Sequence, residues 1–293
     1  MSSILASRAM LTTLRIRQWS ARKLDRKVTD EVNAAHHASA DAGRYNKSLV
    51  AKDALAKIQT VANGARDFLY SQTSPWGDDG PRILSAKQYL HFTAGLAAKR
   101  DEFADAVSAF VAAYPATVAD ARTRLNGLFN ESDYPAPADI AARFSFDTEI
   151  LPIPDSADFR VDLAQGQADD IRAAIEARTA DVLQNTLRDA YARVADAVGK
   201  MAEKLSAYKQ ASAKGERSEG VFRDSLVDNV RELAAILPAL NLTDDPNLAA
   251  VADRITRELT AVDAEHLRID ARARATVAAS AAAIAAQVGA YMQ

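Results

Sequence analysis

From about Gln165 to Ala213 the chain runs without a proline and carries apolar residues at helical steps. Ile171, Ile175, Leu183, Leu187, Tyr191, Val194, Val198, Met201, Leu205 and Tyr208 follow one another at three, four or eight residues, the spacing of one helix face. A helix of that length extends about 70 Å, longer than a compact domain of this size is wide. It needs partner helices along its length or a second subunit. That requirement points to a scaffold more than to a pocketed enzyme.

Alanine supplies much of the apolar content, and only 6% of residues are aromatic. Alanine favours helix but buries little area, so stability must come from length and many contacts. The predicted fold class is mainly α, with long antiparallel helices in a coiled-coil or bundle-like arrangement and a small antiparallel β element. No run reaches the 18 or so apolar residues of a membrane span; the segment Ala271 to Met292 comes nearest, interrupted by Arg272, Arg274, Thr276, Ser280 and Gln287. The absence of cysteine excludes disulfides and thiolate metal sites, and fits a reducing cytoplasm. The first residues, Met1 to Leu14, make a poor signal peptide.

Two regions are expected. Residues 1–163 read as helical with a small sheet, its strands near residues 12–18, 144–153 and 158–163; residues 164–293 read as the long helix and a C-terminal bundle, and the two could form one extended domain. Helices are predicted after Ser20, from about Asn46 to Ser71, from an N-cap at Ser85 to Pro115, which ends or kinks it before a shorter helix to about Leu125, from Phe222 to a stop at Pro238, from Asp244-Asp245-Pro246 onward, and from Ala264 to Tyr291. Gly64 is a weak point of the second of these.

The histidines, His36, His37, His91 and His266, have no metal-ligand spacing, and Asp78 and Asp79 lack the other oxygen ligands of a calcium loop. Neither metal nor cofactor is expected. Phosphate loops and hydrolase, kinase or zincin motifs are missing, so a non-enzymatic role is expected.

Two features invite contact. Ser74 to Pro81 holds two prolines and two glycines around Trp76, Asp78 and Asp79. Tryptophan on a rigid loop is a candidate partner-binding anchor; the alternative is that Trp76 folds back as a plug, with Asp78 and Asp79 accepting backbone N–H bonds in the turn. The second feature is basic. Up to Lys27 the net charge is +6, against −9 for the remainder. Arg15, Arg17, Arg22, Lys23, Arg26 and Lys27 with Trp19 could hold phosphates and stack a base, or be ordinary solvated charges around a core tryptophan.

Two blocks carry a resemblance. The first is Arg17-Gln18-Trp19-Ser20-Ala21-Arg22-Lys23-Leu24-Asp25 with Asp41-Ala42-Gly43-Arg44-Tyr45-Asn46-Lys47. The second is Pro75-Trp76-Gly77-Asp78-Asp79-Gly80 with Leu125-Asn126-Gly127-Leu128-Phe129 and Asp133-Tyr134-Pro135. They resemble an uncharacterised family of helical proteins, encoded mainly by bacteriophages and integrative elements. Its genes often lie near those for MoxR- or cobalt-chelatase-like AAA+ ATPases and von Willebrand A-type partners. The resemblance implies an adaptor or scaffold of a phage-encoded assembly in the bacterial host cytoplasm, with an AAA+ ATPase as partner; the long helix face makes a second copy the other expected partner. It transfers no catalytic residue. The competing expectations are a nucleic-acid-binding accessory protein and a virion component.

Overall fold

The computed structural model describes residues 4–156, 165–211 and 217–292. In chain order the elements are α1 (Ile4–Arg8), β1 (Ala9–Arg17), β2 (Arg22–Leu24), α2 (Arg26–Ala35), β3 (Asn46–Ser48), α3 (Ala56–Gln72), β4 (Ser74–Pro75), β5 (Arg82–Ser85), α4 (Tyr89–Leu125), β6 (Ser145–Pro152), α5 (Gln165–Ala207), α6 (Ser225–Leu240), α7 (Pro246–Glu258), α8 (Ala264–Ile269) and α9 (Ala271–Tyr291). Long helices dominate, joined by a small antiparallel sheet in the order β4-β5-β1-β6 and a separate ribbon of β2 and β3. Ala9 lies opposite Ser85 and Thr12 opposite Arg82 across β1 and β5. The predicted strands at 12–18 and 144–153 are β1 and β6; the one at 158–163, like the expected boundary at Leu163, lies outside the described residues.

The chain divides into two compact units, one of Met1–Thr13, Gln72–Leu90 and Ile150–Gln293, the other of Leu14–Ser71 and His91–Glu149. The first is built on α5. Ala190, Tyr191, Val194, Val198, Met201 and Leu205 are all buried along it, and Tyr208 just beyond its end. α9 runs antiparallel against this stripe. The Tyr191 ring lies 5.5 Å from that of Tyr291, and the Arg274 guanidinium sits 4.8 Å from the Tyr208 ring. On α9 the inward positions are Val277, Ala281, Ile284 and Val288, at steps of four, three and four. Val227, Val230 and Leu237 of α6 and Leu248, Val251 and Ile255 of α7 complete the core. The expectation that the rod needs help is therefore met largely by the chain's own helices. Its first turns differ: Asp169 to Ala174 are exposed, Ile171 among them.

Several boundaries depart from the sequence reading. α5 ends at Ala207, not Ala213, and a backbone bridge between Lys209 and Glu219 follows it. The predicted helix from Ala264 to Tyr291 breaks at Asp270, whose extended backbone and carboxylate cap α9 through the N–H groups of Arg272 and Ala273. Pro238 does not stop α6. It lies in the last turn, where only one internal bond is lost. The helix expected to open at Asp244-Asp245-Pro246 is α7, and Asp245 caps it, accepting from the Leu248 N–H with Pro246 at the helix start.

In the second unit α3 and α4 pack through Ile58, Val61, Ala62, Phe103, Ala106, Phe110 and Tyr114, with Ile140 and Phe144 closing the cluster. Pro115 does not end α4, and the helical run reaches Leu125 as expected, as one element. Pro115 is exposed, so water can satisfy the carbonyl it leaves unpaired. Ser85 opens a 3-10 turn, Ala86–Gln88, without a side-chain cap bond. The helix expected from Asn46 starts only at Ala56; Asn46–Ser48 pairs with β2, and Leu49 and Val50 bury themselves beside Ala21.

Candidate functional site

The most heavily built polar site is in the second unit. Lys47 lies mid-strand in β3, opposite Lys23, and its side chain is only 6% exposed. Its Nζ stands 2.8 Å from Asp133 Oδ2 and 3.2 Å from Asp25 Oδ2, and donates to the Leu128 carbonyl at 2.8 Å. Three donors meet three acceptors. Burial pulls the ammonium's pKa down, but the two carboxylates outweigh it and hold it above the ordinary lysine value. Asp25 is held below the usual carboxylate range, first by the Val28 N–H that it caps and then by Lys47. Nearby, Tyr134 donates to the Leu49 carbonyl at 2.7 Å and Arg124 to the Ser48 carbonyl at 2.7 Å. Asp25 and Lys47 belong to one block of the resemblance, Leu128, Asp133 and Tyr134 to the other. A fully paired, charged lysine is a poor nucleophile or base, so the chemistry of this cluster is that of a latch.

Trp76 belongs to the first unit and is half-buried. It packs on the cluster of Leu5, Leu11, Ile83, Ile153, Val182 and Leu242. Arg178 of α5 lies over its ring at 5.7 Å and donates to its carbonyl at 3.3 Å. Trp76 thus lies with part of its surface against protein, while Asp78 and Asp79 are exposed.

The basic residues of the N-terminal block differ in their partners. Arg15 pairs with Glu149 at 3.2 Å, Arg17 donates to the Ala142 carbonyl at 2.8 Å, and Lys27 lies 3.9 Å from Glu31. Trp19 is half-buried between Phe110 (6.2 Å) and Tyr114 (5.8 Å, edge-on). Arg22, Lys23 and Arg26 are exposed and have no ion pair among the described residues.

In the first unit the outer face of α9 exposes Ala275, Ala279, Ala282, Ala283, Ala286 and Ala290, and no charged residue occurs from Ala275 to Met292. An open hollow of about 270 Å³ lies over Leu237, Pro238 and Leu248 with Lys87 and Asp244 at its rim. Asp244 is engaged by Arg8 (2.5 Å) and Lys87 (3.7 Å). Among the described residues no three His, Asp or Glu side chains are grouped to hold a metal ion. No described helix is long and apolar enough to cross a membrane.

No family model, curated protein or solved structure matches this chain.

The sequence reading did not find the Lys47 cluster or the α9 face. Lys47 looked like the solvated start of a helix. The α9 stripe was visible as alanines, but which alanines face outward depends on which face α5 covers.

Proposed function

We propose that this chain is a non-enzymatic assembly protein that packs the outer face of α9 against another protein. One observation carries the reading: a solvent-facing helical stripe of alanines, uncharged over its whole length. Exposed helix faces ordinarily carry charge for solubility. Small side chains let a second backbone approach closely, and no charge has to be desolvated. The stripe is also self-complementary. In an antiparallel pair centred between Ala282 and Ala283, Ala275 faces Ala290 and Ala279 faces Ala286, as a two-fold interface requires. A second copy is accordingly the first partner to test. The resemblance to phage-encoded proteins supplies the other, an AAA+ ATPase in the bacterial cytoplasm.

Light scattering after size exclusion tests this reading. The wild type should elute as a dimer, and Ala279→Glu combined with Ala286→Glu as a monomer with an unchanged melting temperature, since both side chains point to solvent. If the wild type is monomeric and the charged variant still binds the co-expressed ATPase as the wild type does, the α9 reading fails.

A further inference from the structure

Two Asn-Gly pairs occur in the chain, Asn63-Gly64 and Asn126-Gly127. The dipeptide has its own chemistry, because glycine presents its backbone nitrogen to the neighbouring side-chain amide with no Cβ in the way. Both pairs belong to the second unit, and the fold treats them differently. Asn63 lies midway along α3, a helix of 17 residues. There the Gly64 N–H is committed to the carbonyl four residues before it. The Asn63 side-chain oxygen also accepts from Arg66, at 3.3 Å. For the Gly64 nitrogen to reach Asn63 Cγ, the peptide between them must swing and the helix must open around it.

Asn126 stands just past the last residue of α4, with a φ of 45°. Asparagine in the left-handed region is a common way to stop a helix, and that accounts for its place here. Its side chain is exposed and makes no hydrogen bond among the described residues. Gly127 is exposed as well, and a Cβ built on it would meet nothing within 4 Å. The turn closes through the Phe129 N–H, which donates to the Asn126 carbonyl at 3.0 Å. Between them, the Leu128 carbonyl accepts from Lys47 Nζ at 2.8 Å. Asn126 is therefore two residues from the latch.

We propose that Asn126 is a site of spontaneous deamidation in the folded protein, that Asn63 is protected from it, and that the product loosens the latch. The Gly127 nitrogen attacks Asn126 Cγ. The N–Cγ bond forms, the Cγ–Nδ2 bond breaks, and ammonia leaves with the proton that the Gly127 nitrogen gives up. Water then adds at either carbonyl of the cyclic imide and opens it. One opening leaves aspartate. The other leaves isoaspartate, in which the main chain runs through Cγ and is longer by one carbon. Nothing is oxidised or reduced, and water is the co-reactant. Both products add a negative charge, and isoaspartate lengthens the path from α4 to Leu128, which shifts the Leu128 carbonyl away from Lys47.

Incubating the full chain at mildly alkaline pH, with peptide mapping by mass spectrometry at intervals, tests this. Asn126 should convert about tenfold faster than Asn63 or more, because Asn63 reacts only in molecules whose α3 has opened. In strong urea the two rates should converge to within about threefold, since the folded contrast is lost. Gly127→Ala has room for its methyl group, so circular dichroism should be unchanged while the Asn126 reaction slows severalfold. The deamidated fraction, separated by anion exchange, should unfold at lower urea than the intact chain. That difference should shrink in Lys47→Met, which has no latch to lose. The proposal is overturned if Asn63 converts as fast as Asn126 in the folded chain, if Asn126 reacts only after urea has unfolded the protein, or if Gly127→Ala leaves the rate unchanged. An unchanged urea midpoint for the deamidated fraction overturns the effect on the latch.

Discussion

Lys47→Met should lower the stability of the second unit by about 3–5 kcal/mol, the cost of removing one partner from a buried ion pair. Methionine fills much the same volume, so the loss is chiefly electrostatic. Asp25 and Asp133, with side chains 15% and 10% exposed, would lose the ammonium between them, and the Leu128 carbonyl would lose its donor. The segment from Asn126 to Pro135 is tied to β3 by these contacts and by the Tyr134 hydroxyl on the Leu49 carbonyl. Urea unfolding can be followed by Trp19 emission in a Trp76→Phe background, which confines the signal to the second unit. The mechanism makes a further demand: adding Asp133→Asn to Lys47→Met should recover part of the loss, because it removes one stranded charge. A cost below about 1 kcal/mol for Lys47→Met, or a double variant weaker than the single by the full additive amount, would show that the cluster does not act as a latch.

The same cluster sets a pH window. Lys47 has its pKa raised by folding, so its contribution is complete below the unfolded lysine value of about 10.4 and is lost as pH rises through the folded one. Asp25 has its pKa lowered. Its contribution is complete above about 3.9 and is lost as pH falls through the depressed folded value. The second unit should therefore keep this stabilisation from about pH 4 to 10. Wild type should lose stability at both limits, and Lys47→Met should show a flatter profile at the alkaline one.

How much of this was legible in the chain follows from the range of the forces involved. α5 was readable because Tyr191, Val194, Val198, Met201 and Leu205 repeat at helical steps, and any cover for that face requires the repeat. The identity of the cover was not readable. Ala281, Ile284 and Val288 would suit several partners, and only the packed core shows that they meet α5. Lys47 was misplaced for a related reason. Leu49, Leu55 and Ile58 can be fitted to a helix face, and a lysine ahead of them reads as solvated; its burial depends on carboxylates remote in sequence. In the sequence Pro238 reads as a helix end, and Pro115 as an end or a kink, because proline removes one internal bond. That cost is borne where the freed carbonyl meets solvent or lies in a last turn. Of the aromatic residues weighed for contact, Trp19 and Trp76 are both drawn against protein.

Two helical glycines should respond to alanine with opposite signs. At Gly64, in α3, a Cβ meets nothing within 4 Å. Gly64→Ala should stabilise by about 0.5–1 kcal/mol through helix propensity alone. Gly95, in α4, has the same intrinsic preference, but its Cβ would collide with Phe68 Cζ and lie 2.8 Å from Cε1. Phe68 stacks on Phe92 with ring centres 6.0 Å apart and lies 6.2 Å from His91, so its ring cannot withdraw without giving up those contacts. Gly95→Ala should destabilise by about 1–3 kcal/mol, overpacking outweighing propensity, and Gly95→Val by the upper end of that range or more. Phe68→Leu in the Gly95→Ala background should relieve the clash. The double variant should then be more stable than the sum of the two single effects, with a coupling of about 1 kcal/mol or more. Were Gly95→Ala as stabilising as Gly64→Ala, the close approach of α3 and α4 at Phe68 could not be the reason that glycine stands there.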